Sequence, residues 1–169
     1  MNRRLKRAGA WAATRFPWLV DAFLVSHPID EVASDAFAAC LDDVSTLRLA
    51  LVTTGGAHLR SQPAFDLDLP DGDATWRALP SDAAASDLAI AHEGYDTRDA
   101  KADPNVVAPL DRLRELRDAG RIGSLVAEHV GLMGHIEDGL LDELQQRTVP
   151  EVVAHLKAQG AEAVLLAPT

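Results

Sequence analysis

The sequence has little cysteine and no long apolar run, and both absences narrow the class of protein. Cys40 is the single cysteine among 169 residues, so no disulfide can form within the chain. Nothing therefore indicates an oxidising compartment, and we expect a cytoplasmic protein. The basic and then apolar start of the chain is interrupted by Arg15, Pro17 and Asp21. It falls short of the roughly 18 uninterrupted apolar residues of a spanning helix and shows no clear cleavage site, so it predicts neither a membrane span nor a signal peptide.

An excess of basic residues is also missing. The formal net charge is −10, and the first twenty residues hold five basic side chains and no acid, which leaves −15 on the remainder. A body this acidic is not expected to bind nucleic acid nonspecifically. The basic residues belong to a predicted amphipathic helix from Arg3 to Phe16, ended by Pro17. We expect this helix to pack on the rest of the chain or on another subunit.

The signature motifs of several enzyme classes are absent. The sequence contains no G-x-G-x-x-G, no phosphate-loop Lys-Ser/Thr, no G-x-S-x-G and no H-E-x-x-H or closely paired Cys/His spacing. These absences argue against a nucleotide site, a serine hydrolase and a metal centre. Asp66, Asp68 and Asp71 resemble part of a calcium loop, but its twelfth position is Arg77 rather than glutamate. We predict no metal site.

What the sequence does contain is enough apolar material for one core. With 47% hydrophobic residues, we predict a basic extension over 1–30 and a single α/β domain over 31–169. Near-continuous apolar runs predict buried strands, and 3.6-residue spacing predicts helices. The predicted strands are Leu47–Thr53, Leu88–Ala91 and Ala163–Ala167, with an edge strand at Thr75–Leu79; the predicted helices are Glu31–Leu41, Pro109–Gly120 and Thr148–Gln159.

This alternation predicts a mostly parallel sheet flanked by helices, in a flavodoxin-like or related three-layer arrangement. The last helix is expected to open with a capping box from Thr148 to Glu151. The segment HVGLMGH, His129 to His135, is expected to be a tight loop, because two glycines enclose Leu132 and Met133.

The candidate site is the polar stretch from Ala91 to Asn105, which follows a predicted strand. Ligands of open parallel sheets bind beyond the carboxyl ends of the strands, so this loop should meet the Thr-Thr-Gly-Gly loop after the first strand. We expect His92 to act as a hydrogen-bond or proton donor whose imidazole Asp96 or Asp103 orients. The predicted catalytic residues are His92, Tyr95, Asp96 and Asp103, and the predicted substrate-binding residues are Thr54, Gly55, Gly56, His58, Asn105 and His135. The alternative is a solvated acidic loop whose aspartates cap turns.

Five segments together resemble the selenoprotein B family of glycine, sarcosine, betaine and D-proline reductases, and the likeness is closest to its short single-domain relatives. They are VTTGGAHL (52–59), GDATWRALP (72–80), AHEGYDTRDAKADPNVVAPLDRLREL (91–116), GRIGSL (120–125) and LMGH (132–135). The resemblance implies a reductase in which a selenocysteine or cysteine attacks an activated small amine or amino-acid-like substrate and splits a C–N bond. It also implies a thioredoxin-type electron donor and partner reductase subunits, and we add a homo-oligomer as a further expectation.

One departure from the family pattern bears on activity. In the family, the reactive selenocysteine or cysteine follows a strand that resembles the last seven residues here, AVLLAPT, whereas the sequence ends at Thr169. We expect no cofactor within these residues, a nucleophile just after Thr169, and a domain that is C-terminally incomplete and inactive as it stands. The alternative is a noncatalytic α/β module that binds a small anion or a partner at the same edge of the sheet.

Overall fold

The computed structural model describes residues 42–169 and the single positions 12, 15, 16 and 18. Apart from those four positions, the predicted N-terminal helix, the predicted helix Glu31–Leu41 and the boundary at residue 30 lie outside the described residues. The strands are β1 Arg48–Thr53, β2 Ala57–Leu59, β3 Trp76–Pro80, β4 Leu88–Ile90, β5 Ser124–Leu125, β6 Glu128–Leu132 and β7 Ala163–Ala167. The helices are α1 Arg98–Ala102, α2 Leu110–Asp118, α3 Asp138–Glu143 and α4 Val149–Ala158.

Strand β1 lies at the centre of a mixed, mostly parallel sheet. One edge of β1 pairs in parallel with β7 along five residues, and its other edge pairs in parallel first with β5 and then with β6. Strand β3 adds to β6 in the antiparallel direction, as an edge strand. The predicted α/β class with a mostly parallel sheet is confirmed.

Apolar side chains bury both faces of β1. Leu51 packs in a cluster with Leu110 of α2, whereas Ala50 packs in a second cluster with Val152 and Leu156 of α4. Alternate residues of a strand point to opposite faces, so α2 and α4 lie on opposite sides of the sheet. The apolar run of β1 is therefore explained by burial on both faces, as expected of a central parallel strand.

The prediction of a tight loop from His129 to His135 is wrong for its first half, because His129–Leu132 belongs to β6. A side chain on Gly131 would place its Cβ 2.2 Å from the carbonyl oxygen of Ala57. The absence of a side chain at this position therefore lets β2 pack closely against the sheet. The chain turns only at Gly134, whose φ is +82°. Nδ1 of the buried His129 accepts a hydrogen bond from the amide of Leu51 at 3.1 Å. This bond lies where the pairing partner of β1 changes from β5 to β6.

Two further predictions about local structure need correction. Strand β4 forms as expected, but it pairs antiparallel with β2 in a separate two-stranded sheet rather than joining the parallel one.

The prediction of a capping box at Thr148 is wrong, because a π-helical turn, Leu144–Thr148, joins α3 to α4. Thr148 is buried there and donates its hydroxyl to the carbonyl oxygen of Ala74 at 2.7 Å.

Strand β7 is less buried than its apolar run predicts. Val164, Leu165 and Leu166 are 45%, 39% and 61% exposed. Within the described part of the chain β7 pairs with β1 alone and lies at the edge of that sheet. An apolar run of this length is equally typical of central and edge positions, which is why the pattern could not distinguish them.

Candidate functional site

Three strand ends meet directly at the carboxyl edge of the sheet. After β1, the amide of Thr54 donates to the carbonyl oxygen of Ala167 at 3.2 Å. After β7, the amide of Thr169 donates to Oγ1 of Thr54 at 3.1 Å. After β6, Gly134 lies so close that an added Cβ would be 2.4 Å from the Thr54 carbonyl oxygen. Thr54 is thus the common contact of the three ends.

The loop after β4 reaches the same edge although β4 lies outside the parallel sheet. The amide of Ala91 donates to the carbonyl oxygen of Gly56 at 2.9 Å, and the hydroxyl of Tyr95 donates to the carbonyl oxygen of Gly55 at 2.9 Å. Gly56 has a φ of +72°, and a Cβ there would lie 2.1 Å from the Ala91 carbonyl oxygen. The two polar loops are therefore in van der Waals and hydrogen-bond contact.

His92 is the buried donor of this edge. Its side chain packs on Tyr95 with ring centroids 4.6 Å apart, and its Nδ1 accepts the amide of Gly94 at 2.8 Å. An Nδ1 that accepts a hydrogen bond carries no proton, so the proton of the neutral ring is on Nε2. Nε2 is buried and has no hydrogen-bond partner within the described residues. Buried polar groups are almost always paired, so this N–H is available to a ligand.

The charge state of His92 follows from its surroundings. Burial, and then the nearby His135, lower the pKa of His92 to about 4, while Glu93 acts in the opposite direction. At neutral pH the ring is therefore uncharged, and His92 can donate a hydrogen bond through Nε2 without carrying a transferable second proton. Burial also raises the pKa of Tyr95 to about 12, so its hydroxyl stays protonated and keeps its bond to Gly55.

His135 is more exposed than His92, with 27% of its side chain accessible. A Cβ on Gly94 would lie 2.7 Å from Cε1 of His92 and 3.8 Å from Nδ1 of His135, so both rings border the same small space. Nε2 of His135 lies 3.2 Å from a carboxylate oxygen of Glu137. One buried neutral imidazole and one partly exposed imidazole next to a carboxylate thus flank Gly94.

The backbone amides of the Thr-Thr-Gly-Gly loop are engaged within the protein. The amide of Gly55 donates to Oγ1 of Thr53 at 3.1 Å, and that of Gly56 donates to the carbonyl oxygen of Leu132 at 2.9 Å. A side chain on Gly55 would clash with Val107, at 2.6 Å. The two glycines therefore allow close packing of neighbouring segments, and the loop presents the hydroxyl of Thr54 rather than a set of free amides.

Two predicted site residues, Asp103 and Asn105, form a cap at the start of α2, and a third, Asp96, lies before α1. Asp103 accepts hydrogen bonds from the side chain of Asn105 at 2.9 Å and from its amide at 3.0 Å, and these two bonds lower the pKa of Asp103. Oδ1 of Asn105 accepts the amide of Asp111 at 3.0 Å. Asp96 pairs with Arg98, whose guanidinium lowers the pKa of Asp96. The contact described for the His92 ring nitrogens is with the amide of Gly94. Asp96 and Asp103 bond instead to Arg98 and Asn105.

His58 lies on β2 and contacts the end of the Thr-Thr-Gly-Gly loop. Its Nδ1 is 3.2 Å from the carbonyl oxygen of Gly56, and its ring meets Phe65 edge-on with centroids 5.9 Å apart. Burial lowers the pKa of His58. The structure thus brings Thr54, Gly55, Gly56, His92, Tyr95 and His135 together, with His58 against Gly56. Asp96, Asp103 and Asn105 are engaged in contacts with Arg98 and Asp111 and with one another.

Gly94, Glu137 and Thr169 also belong to this edge and were not among the predicted site residues. Gly94 and Glu137 each stand two residues after a predicted site histidine, and side-chain contacts at that short spacing are common in turns. Spacing was therefore a usable signal for both. The contact of Thr169 with Thr54 spans 115 residues and leaves no local signal.

The described residues contain neither a metal-binding cluster nor a membrane-spanning helix. Residues 42–169 and the four isolated positions contain no group of three His, Cys, Asp or Glu side chains arranged to hold a metal ion. In that same part of the chain, every helix is too short or too polar to cross a membrane.

A protein-family model described as glycine/sarcosine/betaine reductase selenoprotein B matches residues 21–169. The chain is 35% identical to the D-proline reductase subunit gamma of Acetoanaerobium sticklandii, over 73% of this chain and 49% of that protein. It is 29% identical to the betaine reductase complex component B subunit beta of Peptoclostridium acidaminophilum, over 88% of this chain and 34% of that protein. It is 31% identical to the glycine reductase complex component B subunit gamma of Carboxydothermus hydrogenoformans, over 76% and 29% of the two chains.

The chain therefore spans half or less of the length of these relatives. No solved structure matches it significantly. The range matched by the family model contains every residue of the carboxyl edge described above.

Proposed function

The chain belongs to the glycine/sarcosine/betaine reductase selenoprotein B family, and from this premise we propose that it is part of a reductase component that splits a C–N bond of a small amine or amino-acid-like substrate. The observation that supports this site most strongly is the buried Nε2–H of His92, which has no partner among the described residues. It lies beside Tyr95 and borders the same space as His135.

In the chemistry implied by the family, a selenocysteine or cysteine attacks the carbon, so that a C–Se or C–S bond forms as the C–N bond breaks and the amine leaves. A thioredoxin-type donor or partner reductase subunit then supplies two electrons, the new bond is cleaved, and the carbon takes a proton. Cys40, the single cysteine of the sequence, lies outside the described residues. On the strength of the resemblance we place the reacting selenol or thiol beside Thr169. The residues present fit such a group, because a neutral N–H such as that of His92 stabilises a selenolate or thiolate by donating a hydrogen bond.

The other residues of the edge hold its loops and the substrate in position. The hydroxyl of Thr54 accepts the amide of Thr169 and so holds the end of β7 against β1. Tyr95 fixes the loop that carries His92 through its bond to Gly55. His135, the partly exposed imidazole next to Glu137, binds the substrate at this edge. Asp96, Asp103 and Asn105 shape the loop and the start of α2.

The test is C–N cleavage by the reductase complex isolated from the source organism, with glycine, sarcosine, betaine or D-proline as substrate and a dithiol as reductant. We expect cleavage of at least one of the four. His92→Gln should lower kcat about 100-fold, the scale seen when one donor to a developing charge is removed. The matched control is His155→Gln, because His155 lies on α4 against Trp76, and it should keep full activity. No cleavage of any substrate would contradict the function, and a fully active His92→Gln variant would contradict the site.

A noncatalytic module that binds a small anion or a partner is the second candidate. It is favoured by one observation, that the buried Nε2–H of His92 can donate a hydrogen bond to an anion without any nucleophile. The nucleotide sequence after the Thr169 codon separates the two candidates. An in-frame UGA followed by a coding stretch, or a cysteine codon, supports the reductase, whereas UAA or UAG supports the module. The cytoplasmic location expected from the single cysteine stays a prediction.

A further inference from the structure

One aspartate of the loop between β2 and β3 is buried. This β2–β3 loop, residues 60–75, holds four aspartates: Asp66, Asp68, Asp71 and Asp73. The first three are exposed, whereas Asp73 is only 7% exposed. A carboxylate buried to this degree needs hydrogen bonds or a paired charge to stay ionised. Its partners therefore show what it does.

The Asp73 carboxylate joins the two ends of an inner turn of the loop. Oδ2 accepts the amide of Asp66 at 2.9 Å, and Oδ1 accepts both the amide of Thr75, at 2.9 Å, and its hydroxyl. The guanidinium of Arg77 lies 3.8 Å from Oδ2. Burial acts to raise the pKa of Asp73, but the hydrogen bonds from Thr75 and Asp66 outweigh it and hold the pKa below its ordinary value. Asp73 is thus an ionised centre that closes the loop.

Arg77 ties the first part of the same loop to β3. Its Nε donates to the carbonyl oxygen of Pro63 at 2.9 Å, and its Nη2 donates to that of Ala64 at 3.3 Å. The guanidinium also lies over the ring of Phe65, 4.5 Å from the centroid. The β2–β3 loop is therefore fixed at both of its parts, by a carboxylate and by a guanidinium.

The fixed loop packs against both segments that carry the imidazoles of the site. Phe65 is buried in one cluster with Ala91 and Met133. Ala91 directly precedes His92, and Met133 lies two residues before His135. The place of this loop therefore bears on the place of both rings.

The end of the loop is joined to the backbone on both sides of His135. Gly72 forms an antiparallel bridge with Ile136, and the amide of Glu137 donates to the carbonyl oxygen of Asp71 at 2.8 Å. Gly72 has a φ of +96°, and a Cβ there would lie 1.8 Å from the carbonyl oxygen of His135. Residues 71 and 72, directly before the buried aspartate, thus hold the backbone that carries this imidazole.

We propose that Asp73 is a positioning residue for His135: by closing the β2–β3 loop it sets the place of residues 71 and 72, and through them the place of the imidazole. This inference rests on the proposed function, in which His135 binds the substrate at the carboxyl edge. Asp73 acts through the backbone and not by contact with the substrate. A carboxylate suits this role because its two oxygens accept all the donors of Asp66 and Thr75 at once.

Asp73→Asn removes one of the two acceptor oxygens. The new NH₂ group then faces an N–H or O–H donor of the loop, so the turn opens and His135 shifts relative to Gly94. Because His135 binds the substrate, we expect KM to rise about 10-fold and kcat to change less than about two-fold. A merely structural role would instead lower the fraction of folded enzyme, which reduces kcat and leaves KM unchanged.

The test is steady-state kinetics of the reductase complex, isolated from the source organism with Asp73→Asn in this chain. The matched control is Asp43→Asn, because Asp43 also accepts the amide of the residue two positions later, Ser45, at 2.9 Å. Asp43 precedes β1, at the opposite edge of the sheet from the site, and its variant should keep both constants. An unchanged KM in Asp73→Asn, or an equal rise in the two variants, overturns the proposal.

A milder pair of variants decides the matter if Asp73→Asn does not fold. Thr75→Val removes one donor to the Asp73 carboxylate, and it should raise KM in the same direction. Thr75→Ser keeps the hydroxyl, so it should retain the KM of the unmodified complex. Equal KM values for the valine and serine variants contradict the proposal.

Hydrogen exchange separates this inference from the proposed function, because it needs no activity. In the labelled protein, NMR follows the amide of Glu137, which bonds to Asp71, together with the ring signals of His135. Asp73→Asn should exchange at Glu137 at least about 10-fold faster, as expected for local opening, and should shift the His135 signals. This result supports the positioning role even if the unmodified complex cleaves no substrate and the proposed function fails. Unchanged exchange and unchanged His135 signals overturn the positioning role, even if the complex is active.

Discussion

The hydroxyl of Tyr95 donates to the carbonyl oxygen of Gly55 at 2.9 Å, across 40 residues of sequence. This bond ties the loop after β4 to the carboxyl end of β1. Because β4 is not a strand of the parallel sheet, the loop does not reach that edge through strand order. Its position depends on contacts of this kind, and the site of His92 depends on them too.

Removing this bond should loosen the loop without unfolding the domain. In Tyr95→Phe the Gly55 carbonyl oxygen loses its donor, and we expect a loss of about 1 kcal/mol in the free energy of unfolding, the usual net value of one hydrogen bond. Urea denaturation measures the change. An unchanged midpoint, together with unchanged NMR signals of the His92 ring, would show that the bond does not hold the loop.

Gly94 offers a way to disturb the site and not the fold. In Gly94→Ala the new methyl lies 2.7 Å from Cε1 of His92, so the imidazole must shift, and we expect activity to fall about 10-fold, roughly 1.4 kcal/mol of lost stabilisation. In Gly120→Ala the methyl meets nothing within 4 Å, but φ is +67°, so this variant should lose about 1 kcal/mol of stability and keep its activity. The reverse pattern would contradict the site.

Thr53 links the start of the Thr-Thr-Gly-Gly loop to the segment before α2. Its buried hydroxyl donates to the carbonyl oxygen of Val107 at 2.6 Å and accepts the amide of Gly55 at 3.1 Å. Thr53→Val keeps the shape but leaves both groups unpaired, and we expect a loss of about 1 to 3 kcal/mol. Thr53→Ser should restore most of it in chemical denaturation. Equal stability of the valine and serine variants would rule out the hydroxyl as the cause.

Two buried histidines should make stability depend on pH. Burial is the main cause that lowers the pKa of His92 and of His129 to about 4, from 6.5. The unfolded chain therefore binds more protons between these values, so stability is fully present above pH 6.5 and is lost as the pH falls towards 4. Each histidine contributes roughly 3 kcal/mol or less over this range.

The measurement is the free energy of unfolding from pH 7 to pH 4.5, in the unmodified protein and in His129→Gln. Glutamine can still accept the amide of Leu51 but does not titrate. The variant should therefore lose stability less steeply than the unmodified protein over this range. Parallel curves would show that His129 is not a buried neutral imidazole.

Much of the central architecture could be predicted because its causes are local. The apolar run from Leu49 to Thr53 suffices to predict a strand buried on both faces, and the Thr-Thr-Gly-Gly motif marks its carboxyl end. The pairing of β4 could not be predicted, since a three-residue strand carries no information about its partner. Gly131 suggested a turn, and its real role appears only when the carbonyl of Ala57 is seen 2.2 Å from its missing Cβ.

The candidate site was predictable in outline and not in its contacts. His92 and Tyr95 were expected near Gly55 because polar residues after strands gather at one edge. Which group orients His92 was not predictable, because Asp96 and Asp103 have competing partners close in sequence, Arg98 and Asn105. Short-range contacts between neighbouring polar side chains displaced the longer-range pairing that the sequence suggested.

His92 presents a neutral Nε2–H, free of partners among the described residues, at the carboxyl edge of the sheet. Nitrogen-15 NMR of the histidine rings in the labelled protein tests it most directly, with His92→Gln to assign the signals. We predict that at pH 7 the His92 ring is uncharged, with its proton on Nε2 and none on Nδ1, and that it titrates only as the pH approaches 4. A charged His92 ring at pH 7, or a proton on Nδ1, would contradict the account.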